Sequence, residues 1–582
     1  MFAPFQFVFV QRGVLEIGLL SIGAGLLGPW LVLRGLSFYA HAVGTAAFPG
    51  LVLADGLGFS PPLGAALGAA GFAGGVDLLG RSRRANYDTD TALVLVGALA
   101  LGVILASDVF HSGTNVETLL FGSLLLIGTR ELVLAATVSL LALAGTVAFG
   151  RYWLVRGFDP LTASSLGSRS ALPEGALLGL VAFAAIASLA ALGALLVSAL
   201  LVVPAATTRL WTRRLPAWQL STIALVAVEG VVGLWLSVEL NVPPGAAIAL
   251  LAGGVFALAA VGRRYGSLRS LGLAAAAVGA VLALTGCGVA SGGRPGTVDV
   301  VATTTQIADW ARVVGGPAVS VHQILQPNTD PHEYEPRPED VERTAVAQVV
   351  FVNGDKLDHW MAKVVSQAGG NPKVVDLGAA VPVELPGESS GPEASRFDPH
   401  WWHDPVDAEA AVKKIRDVLV AEDPKAKAGF ARRAAAYVTA LQRRRRRTAG
   451  CFATVPRAER RLVTDHDAFA YFAKRYGITI VGAVIPSQTT QAQPSAGETA
   501  KLIRLVRREH VKAVFAEHSV NARLVGTVAQ ETGASSRYRL YGDTLGPKGS
   551  SGETYLGMEA ANANELVRGF TGGARGCRIG SP

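Results

Sequence analysis

Long apolar runs occupy most of the first 262 residues and exclude a single soluble fold for this 582-residue chain. A helix needs about 20 residues to cross the hydrocarbon core of a bilayer, and most of the runs can span it. They predict an all-α polytopic membrane domain of about eight helices over residues 1–262. In residues 297–582 charged residues are spread throughout, and the first lysine of the chain is Lys356. The eight runs are residues 14–33, 38–57, 62–79, 91–106, 131–149, 175–203, 218–240 and 243–261.

Arginine clusters between the runs indicate the orientation of the membrane domain, because cytoplasmic loops carry an excess of Lys and Arg. Simple alternation of the helices does not place every cluster in the cytoplasm, so we expect at least one run to be re-entrant or split. These arginines supply much of the net charge of +8, which is therefore no indication of nucleic-acid binding. The clusters lie at residues 81–84, 151–169, 209–214 and 263–269.

The segment 263–296 contains the three parts of a secretory signal peptide: a basic start, an apolar middle and a small-residue end. Its ending, Leu284-Thr285-Gly286-Cys287, resembles the bacterial lipobox, in which the cysteine is lipidated and the chain is cut just before it. The alternative is one further membrane helix that happens to end in Gly-Cys. Both interpretations place the residues after Cys287 outside the cytoplasm, at a bacterial plasma membrane.

The C-terminal half has the composition of a globular domain, and its strand and helix patterns alternate. Such alternation predicts a parallel sheet covered by helices on both faces. Residues 404–447 are instead helical with one proline interruption, so we predict two α/β lobes, about 297–403 and 450–582, joined by one long helix. Cys451 and Cys577 both lie in this half, where a disulfide can persist, and the sequence leaves their pairing open.

Three histidines and one aspartate of the C-terminal half lie in turn-like motifs, most of them directly after a predicted strand. Open α/β sheets bind ligands at the carboxyl ends of their strands, so these turns predict a common site. Three imidazoles and one carboxylate suit a four-coordinate zinc ion (Zn2+) and can also hold manganese. Taken singly, each histidine is better explained as an ordinary surface or capping residue than as a ligand. The motifs are NTDPHEYEP with His332, FDPHWWHDP with His400, VTDHDAFAYF with His466 and LYGDTLG with Asp543.

These motifs make the C-terminal half resemble the metal-binding lipoproteins of ABC importers for zinc and manganese over residues 298–570. Carried across by position, the resemblance implies that the same three histidines and the aspartate are the metal ligands. His403 and Glu517 are candidates for contacts with the ligands rather than with the ion. A histidine at the third ligand position, where some manganese-binding members carry Glu, favours zinc. The resemblance also rests on the motifs QPSAGE and VFAEHSVNARL.

The N-terminal half resembles the permease subunit of the same importers across nearly all of residues 5–262. The matching stretches include QRGVLEIGLL, GPWLVLRGLSFYAHAVGTAAFPG and GALLVSALLVVPAATTRLWTRRL. The resemblance implies that the loop FDPLTASSLG contacts an ATPase subunit. The family usually carries Asp and His four residues apart in the second apolar segment, whereas His41 and Thr45 stand there in this chain, so one carboxylate of the expected path is missing. Glu229 lies in the middle of an apolar run, where it either lines the path or packs in neutral form against another helix.

The two halves imply the same substrate class, and we therefore expect a fusion of the permease and the metal-binding lipoprotein of an ABC importer, anchored by lipid at Cys287. The sequence contains no Gly-x-x-x-x-Gly-Lys-Ser/Thr phosphate loop, so we expect a separate ATPase bound to a permease homodimer. The missing carboxylate leaves a membrane-tethered metal scavenger or sensor as an alternative. A zinc hydrolase with Glu517 as general base is less consistent, because four protein ligands leave no coordination position for water.

Overall fold

The computed structural model describes most of both halves of the chain. The predicted lipidation site, Cys287, and residues 159–167 of the predicted ATPase-contact loop lie outside the described residues. Those described are residues 8–82, 87–105, 124, 127–158, 172–192, 197–242, 244–264, 296–332, 334, 336–389, 394–490, 496–520, 522–577 and 579.

Within these ranges the N-terminal half contains eleven α-helices, and each of the eight predicted apolar runs holds at least one of them. Six helical segments of the described chain are long and apolar enough to cross a membrane, by length and composition. The helices are α1 (Val8–Arg34), α2 (Ser37–Thr45), α3 (Phe48–Leu57), α4 (Pro61–Ser82), α5 (Tyr87–Ile104), α6 (Thr129–Phe158), α7 (Leu172–Leu192), α8 (Val197–Leu201), α9 (Val203–Arg209), α10 (Leu215–Leu240) and α11 (Pro244–Arg264).

Helix α1 forms the centre of this bundle and packs against α6 and α10. It runs antiparallel to α10, because Gly13 lies beside Leu234 whereas Gly25 lies beside Ile223. A Cβ atom at Gly25 would stand 2.6 Å from the backbone nitrogen of Ile223, so glycine permits the close approach of the two helices. The outward faces are apolar as well, and Val147 on α6 is 79% exposed. Helices that are apolar on all sides are typical of membrane spans.

Two of the apolar runs contain residues of more than one helix, and a re-entrant or split span stays a prediction. The run 38–57 divides into α2 and α3, and Pro49 lies in the first turn of α3. The run 175–203 includes most of α7 and the short helix α8, and α9 begins at its last residue, Val203, with Pro204 in the first turn. Proline is tolerated in a first turn but cannot extend a preceding helix, because it lacks the N–H donor.

The first lobe of the C-terminal half is a four-stranded parallel sheet with the strand order β2-β1-β3-β4. The central strands are rich in valine and mostly buried, as expected for a parallel sheet covered on both faces. The side chain of Thr304 accepts a hydrogen bond from Ile307 N and so caps the helix that follows β1. The elements are β1 (Val298–Ala302), α12 (Thr305–Gly315), β2 (Val319–Gln323), α13 (Pro338–Val346), β3 (Val349–Val352), α14 (Trp360–Ala368) and β4 (Lys373–Asp376).

The stretch 404–447, predicted as one linking helix, lies in two helices that pack against each other, α15 (Pro405–Glu422) and α16 (Lys427–Phe452). The proline interruption is a sharp corner at Pro424, where the side chain of Asp423 accepts hydrogen bonds from the next two free N–H groups. Of these two helices, α16 is the one that packs in both lobes. Its Phe430 packs in the core of the first lobe and its Phe452 in the core of the second.

The second lobe contains two parallel strand pairs, β5–β6 and β7–β8. The N–H group of Phe515 donates to Val463 O at 2.9 Å and joins the pairs into one layer. A disulfide connects Cys451, at the end of α16, to Cys577, so the two cysteines do pair. The predicted fold class, a helical membrane half followed by a two-lobed α/β half with a long connecting helix, is confirmed. The elements are β5 (Arg461–Thr464), α17 (Ala470–Tyr476), β6 (Thr479–Ala483), α18 (Ala496–Arg508), β7 (Ala516–Glu517), α19 (Arg523–Thr532), β8 (Arg539–Leu540) and α20 (Tyr555–Phe570).

The two halves are in contact at one end of the helical bundle. Asn241, directly after α10, exchanges two hydrogen bonds of 3.3 Å with Glu339 of α13. Arg12 on α1 donates to the side-chain oxygen of Gln367 on α14. Helix α11 begins beside this contact and ends at Arg264, so Arg263 and Arg264, the described residues of the last predicted cytoplasmic arginine cluster, lie at the opposite end of the bundle.

Candidate metal centre

The four side chains predicted as ligands converge between the two lobes. The Nε2 atoms of His400 and His466 lie 3.5 and 3.6 Å from Asp543 Oδ1, and His332 Nε2 lies 3.8 Å from Asp543 Oδ2. Bonds of about 2.0–2.2 Å in a tetrahedral zinc site place neighbouring ligand atoms about 3.3–3.6 Å apart. The four groups therefore need only small adjustments to surround a tetrahedral ion, and all four are buried.

Every candidate ligand follows a strand of a parallel sheet. The loop after β2 carries His332 and the loop after β4 carries His400, whereas His466 and Asp543 come almost directly after β5 and β8. Two ligands thus belong to each lobe, and the site lies at the carboxyl edge of both sheets. A hydrogen bond of 2.9 Å from Gln306 Nε2 to the backbone oxygen of Asp543 connects the lobes beside the ligands.

Two carboxylates orient two of the histidines. Asp398 Oδ1 lies 2.7 Å from His400 Nδ1, and Glu517 Oε1 lies 2.8 Å from His466 Nδ1. When Nδ1 carries the proton that such a contact requires, Nε2 is free to bind a metal. Sequence analysis proposed a contact for Glu517 but missed Asp398, although the spacing in FDPH places this aspartate two residues before its histidine.

Burial and neighbouring charges act differently on the ligands. Burial lowers the pKa of His400 to about 3, so this imidazole is neutral. Burial also acts to lower the pKa of His466, but Glu517 and Asp543 outweigh it and hold that pKa well above its usual value. For Asp543, burial acts to raise the pKa, but the imidazoles, His466 foremost, hold it well below its usual range. A cation bound by these four groups would thus meet an ionised carboxylate and would displace a proton from His466.

The turn after β8 requires glycine at position 542. A Cβ atom there would lie 1.6 Å from Glu517 Oε2, so any other residue would displace the carboxylate that orients His466. The indole N–H of Trp402 donates to the backbone oxygen of Gly542 at 3.1 Å. The turn that presents Asp543 is therefore held from both sides.

Family models match both halves of the chain. The ABC 3 transport family matches residues 6–263, and the zinc-uptake complex component A, periplasmic, matches residues 300–569. The metal ABC transporter substrate-binding lipoprotein FimA of Streptococcus parasanguinis is 30% identical over 288 residues, which cover 48% of this chain and 92% of FimA. The chain belongs to the metal ABC transporter family. It is a fusion of a permease half with a substrate-binding half, which confirms the expectation from sequence.

Other relatives match with similar extent. The iron ABC transporter substrate-binding lipoprotein MtsA of Streptococcus pyogenes serotype M1 is 30% identical over 275 residues, or 47% of this chain and 88% of MtsA. The solved structure of the periplasmic zinc-binding protein TroA from Treponema pallidum is 28% identical, with a TM-score of 0.44, and covers 47% of this chain and 99% of TroA. The names of these two relatives refer to different metals.

His403 and the second cluster of possible metal-binding residues do not require a second metal ion. His403, a candidate for contact with the ligands, is fully buried and stacks on Phe469 with ring centroids 4.4 Å apart. Asp465, His466 and Glu517 form a second cluster with metal-ligand spacing, but it shares His466 with the first. Because Glu517 contacts His466 at Nδ1, we assign it to the orientation of that imidazole.

The candidate residues of the permease half lie on two different helices, α2 and α10. His41 and Thr45 are half-buried on one face of α2. Glu229 on α10 is 3% exposed, and its two carboxylate oxygens have no hydrogen-bond partner among the described residues. Glu16 on α1 is equally buried and was missed by sequence analysis, although it too is a carboxylate within an apolar run.

Proposed function

We propose that the chain imports Zn2+, with Mn2+ as the alternative, by capture in the substrate-binding half and transfer through the permease half. The observation that carries this proposal is the convergence of four buried ligands on the same chain as a permease. The metal is the transported substrate rather than a resident cofactor.

The ligand chemistry supports zinc. The site offers three imidazole nitrogens and one carboxylate. Each imidazole Nε2 lies 3.5–3.8 Å from an oxygen of Asp543, which suits a small tetrahedral ion. Manganese favours oxygen ligands and a larger coordination number. Four protein ligands also leave no position for a water molecule, which argues against a zinc hydrolase.

The proposed setting is a bacterial plasma membrane, with the substrate-binding half outside the cytoplasm. The contact between the halves supports this orientation, because it lies at the end of the bundle opposite Arg263. A separate ATPase would drive transport on a permease homodimer. Lipidation at Cys287 would keep the substrate-binding half at the membrane if the chain is cut there.

Uptake of radioactive zinc into proteoliposomes that hold the full chain and its cognate ATPase tests this function. We expect ATP-dependent uptake, and zinc should exceed manganese when both are offered at equal concentration. Stoichiometric metal binding with ATP turnover but without uptake would instead support the membrane-tethered scavenger, which the Thr45 position favours. Preferred uptake of manganese would keep the importer and change its substrate.

A further inference from the structure

The strand that leads to the aspartate of the metal centre lies at the edge of its sheet. Strand β8 pairs with β7 on one side, where Leu540 O accepts a hydrogen bond of 3.0 Å from His518 N. Within the described chain no strand pairs with its other side. Tyr541, the next residue, is 6% exposed, so its own N–H and C=O groups need partners inside the protein.

The side chain of Asn562 on α20 supplies both partners. Tyr541 N donates to Asn562 Oδ1 at 2.8 Å, and Asn562 Nδ2 donates to Tyr541 O at 2.7 Å. A side-chain amide carries an acceptor and a donor side by side, as a peptide group does, and can therefore take the place of a neighbouring strand. Asn562 is 0% exposed. We call this pair of hydrogen bonds the Asn562 clamp.

The clamp lies where α20 passes from one lobe to the other. Tyr555 and Met558 of this helix pack in the core of the first lobe, whereas Ala563 and Leu566 pack in the core of the second. Asn562 stands between these two groups in the sequence. It therefore ties the end of β8 to the junction of the lobes, which is also where the four candidate ligands converge.

The clamp is two residues away from the carboxylate that it can position. Gly542, the residue between, has a wide range of backbone conformations and does not by itself fix the direction of Asp543. Contacts on both sides must do so: Gln306 holds Asp543 O from the first lobe at 2.9 Å, and the clamp holds Tyr541 from α20. Asp543 Oδ1 faces two imidazoles at 3.5 and 3.6 Å and Oδ2 faces the third at 3.8 Å, so a rotation of this turn changes three distances at once.

We propose that Asn562 is a positioning residue of the metal centre: by clamping the backbone of Tyr541 it fixes the carboxylate of Asp543 against the three imidazoles. The inference rests on the proposed import function and deepens it. It assigns control of the coordination geometry to α20, a helix that supplies no ligand.

The test compares Asn562→Leu with the wild-type protein, each as the full chain in lipid nanodiscs. Leucine has a similar size but makes neither hydrogen bond. Co2+ is the first probe, because the intensity and wavelength of its visible absorption bands depend on the geometry of its ligands. We expect changed bands in the variant and a 10–100-fold rise in the zinc Kd, measured by competition with a chromogenic chelator. Bands and a Kd equal to those of the wild type would overturn the proposal.

Asn564→Leu is the matched control on the same helix. Asn564 Oδ1 accepts a hydrogen bond of 3.0 Å from Cys577 N, so this variant also removes a bond between an asparagine side chain and a backbone group. That bond holds the C-terminal segment rather than the turn of Asp543, and the variant should keep the wild-type bands and Kd. Equal changes in both variants would overturn the proposal, because a general loosening of α20 would then explain them.

A smaller substitution decides the matter if Asn562→Leu does not fold. Serine is too short to bond both backbone groups of Tyr541, so Asn562→Ser loses part of the clamp without adding bulk. We expect a change of the Co2+ bands in the same direction as for leucine, and a smaller rise in the zinc Kd. Wild-type bands and Kd in Asn562→Ser would contradict the positioning role.

Failure of this inference is distinguishable from failure of the proposed function. If the wild-type chain binds neither Co2+ nor zinc, the function itself is wrong. If it binds both ions and imports zinc while the Asn562 variants keep the wild-type bands and Kd, only the positioning of Asp543 by Asn562 is wrong.

Discussion

The two halves of the chain place polar groups in apolar surroundings in different ways. In the substrate-binding half three imidazoles and a carboxylate meet at one point, and Asp398 and Glu517 hold two of the imidazoles in place. In the permease half the buried carboxylates Glu16 and Glu229 have no hydrogen-bond partners among the described residues, and His41 lies on another helix, α2. A complete ligand set retains an ion, whereas conduction requires sites weak enough to release it. The difference is therefore consistent with capture of the ion by the substrate-binding half and its passage through the permease half.

The largest effect should come from removing a ligand. His466→Ala leaves three of the four proposed ligands and removes the imidazole that lies between Glu517 and Asp543. Loss of a group that only orients a ligand costs 10–100-fold in metal affinity, so loss of the ligand itself should cost more. Metal content of the purified full chain, measured by mass spectrometry, checks this. His359→Ala, an exposed histidine of the same half, is the control. Stoichiometric metal in the His466 variant would break the comparison, because the site would then not depend on its full ligand set.

Removing a supporting carboxylate should have a smaller effect. Glu517→Gln replaces the carboxyl group that contacts His466 Nδ1 by an amide of the same shape. We expect a 10–100-fold rise in the zinc Kd without loss of the fold, because the ligand remains but is less well oriented and less basic. Chelator competition measures this, with the exposed Glu531→Gln as control. An unchanged Kd would show that the ligands are held by packing alone.

Acidification should weaken the site further. The pKa of His466 is held well above its usual value in the metal-free fold, so zinc must displace a proton there. One proton displaced corresponds to about a tenfold loss of apparent affinity for each unit by which the pH falls below that pKa. By the same sign, protonated His466 stabilises the metal-free fold at low pH, and this contribution is lost as the pH rises through the raised pKa. Titration calorimetry in buffers of different ionisation enthalpy counts the protons released, and none released near neutral pH would contradict the prediction.

The smallest change is expected in the permease half. Thr45→Asp restores a carboxylate one helical turn from His41, on the same face of α2. It should change the rate of zinc uptake several-fold and leave the zinc Kd of the chain unaltered. Thr45→Ser is the matched control. If Thr45→Asp alters the Kd and not the uptake, passage and capture are not divided between the halves as the structure suggests.

The sequence was sufficient for the class of fold and for the four converging residues, because both follow from local patterns. The apolar runs predict helices, and motifs at strand ends share one edge of a parallel sheet. Contacts between segments distant in the sequence could not be predicted from it. The pairing of Cys451 with Cys577 depends on where α16 ends, and the role of Asp398 depends on a hydrogen bond that only the folded turn shows. The sequence shows a proline at position 424, but the helix pattern alone does not distinguish a kink in one helix from a turn that reverses the chain direction between two helices.

The disulfide determines how the second lobe responds to a break in its backbone. Cys451 and Cys577 are 126 residues apart, and the closed loop between them contains every strand of that lobe, His466 and Asp543 included. A protease that cuts the backbone once anywhere inside this loop separates no fragments until the disulfide is reduced. While the disulfide stays oxidised, the lobe can thus be nicked at an exposed turn and still keep His466 and Asp543 in one covalently connected unit.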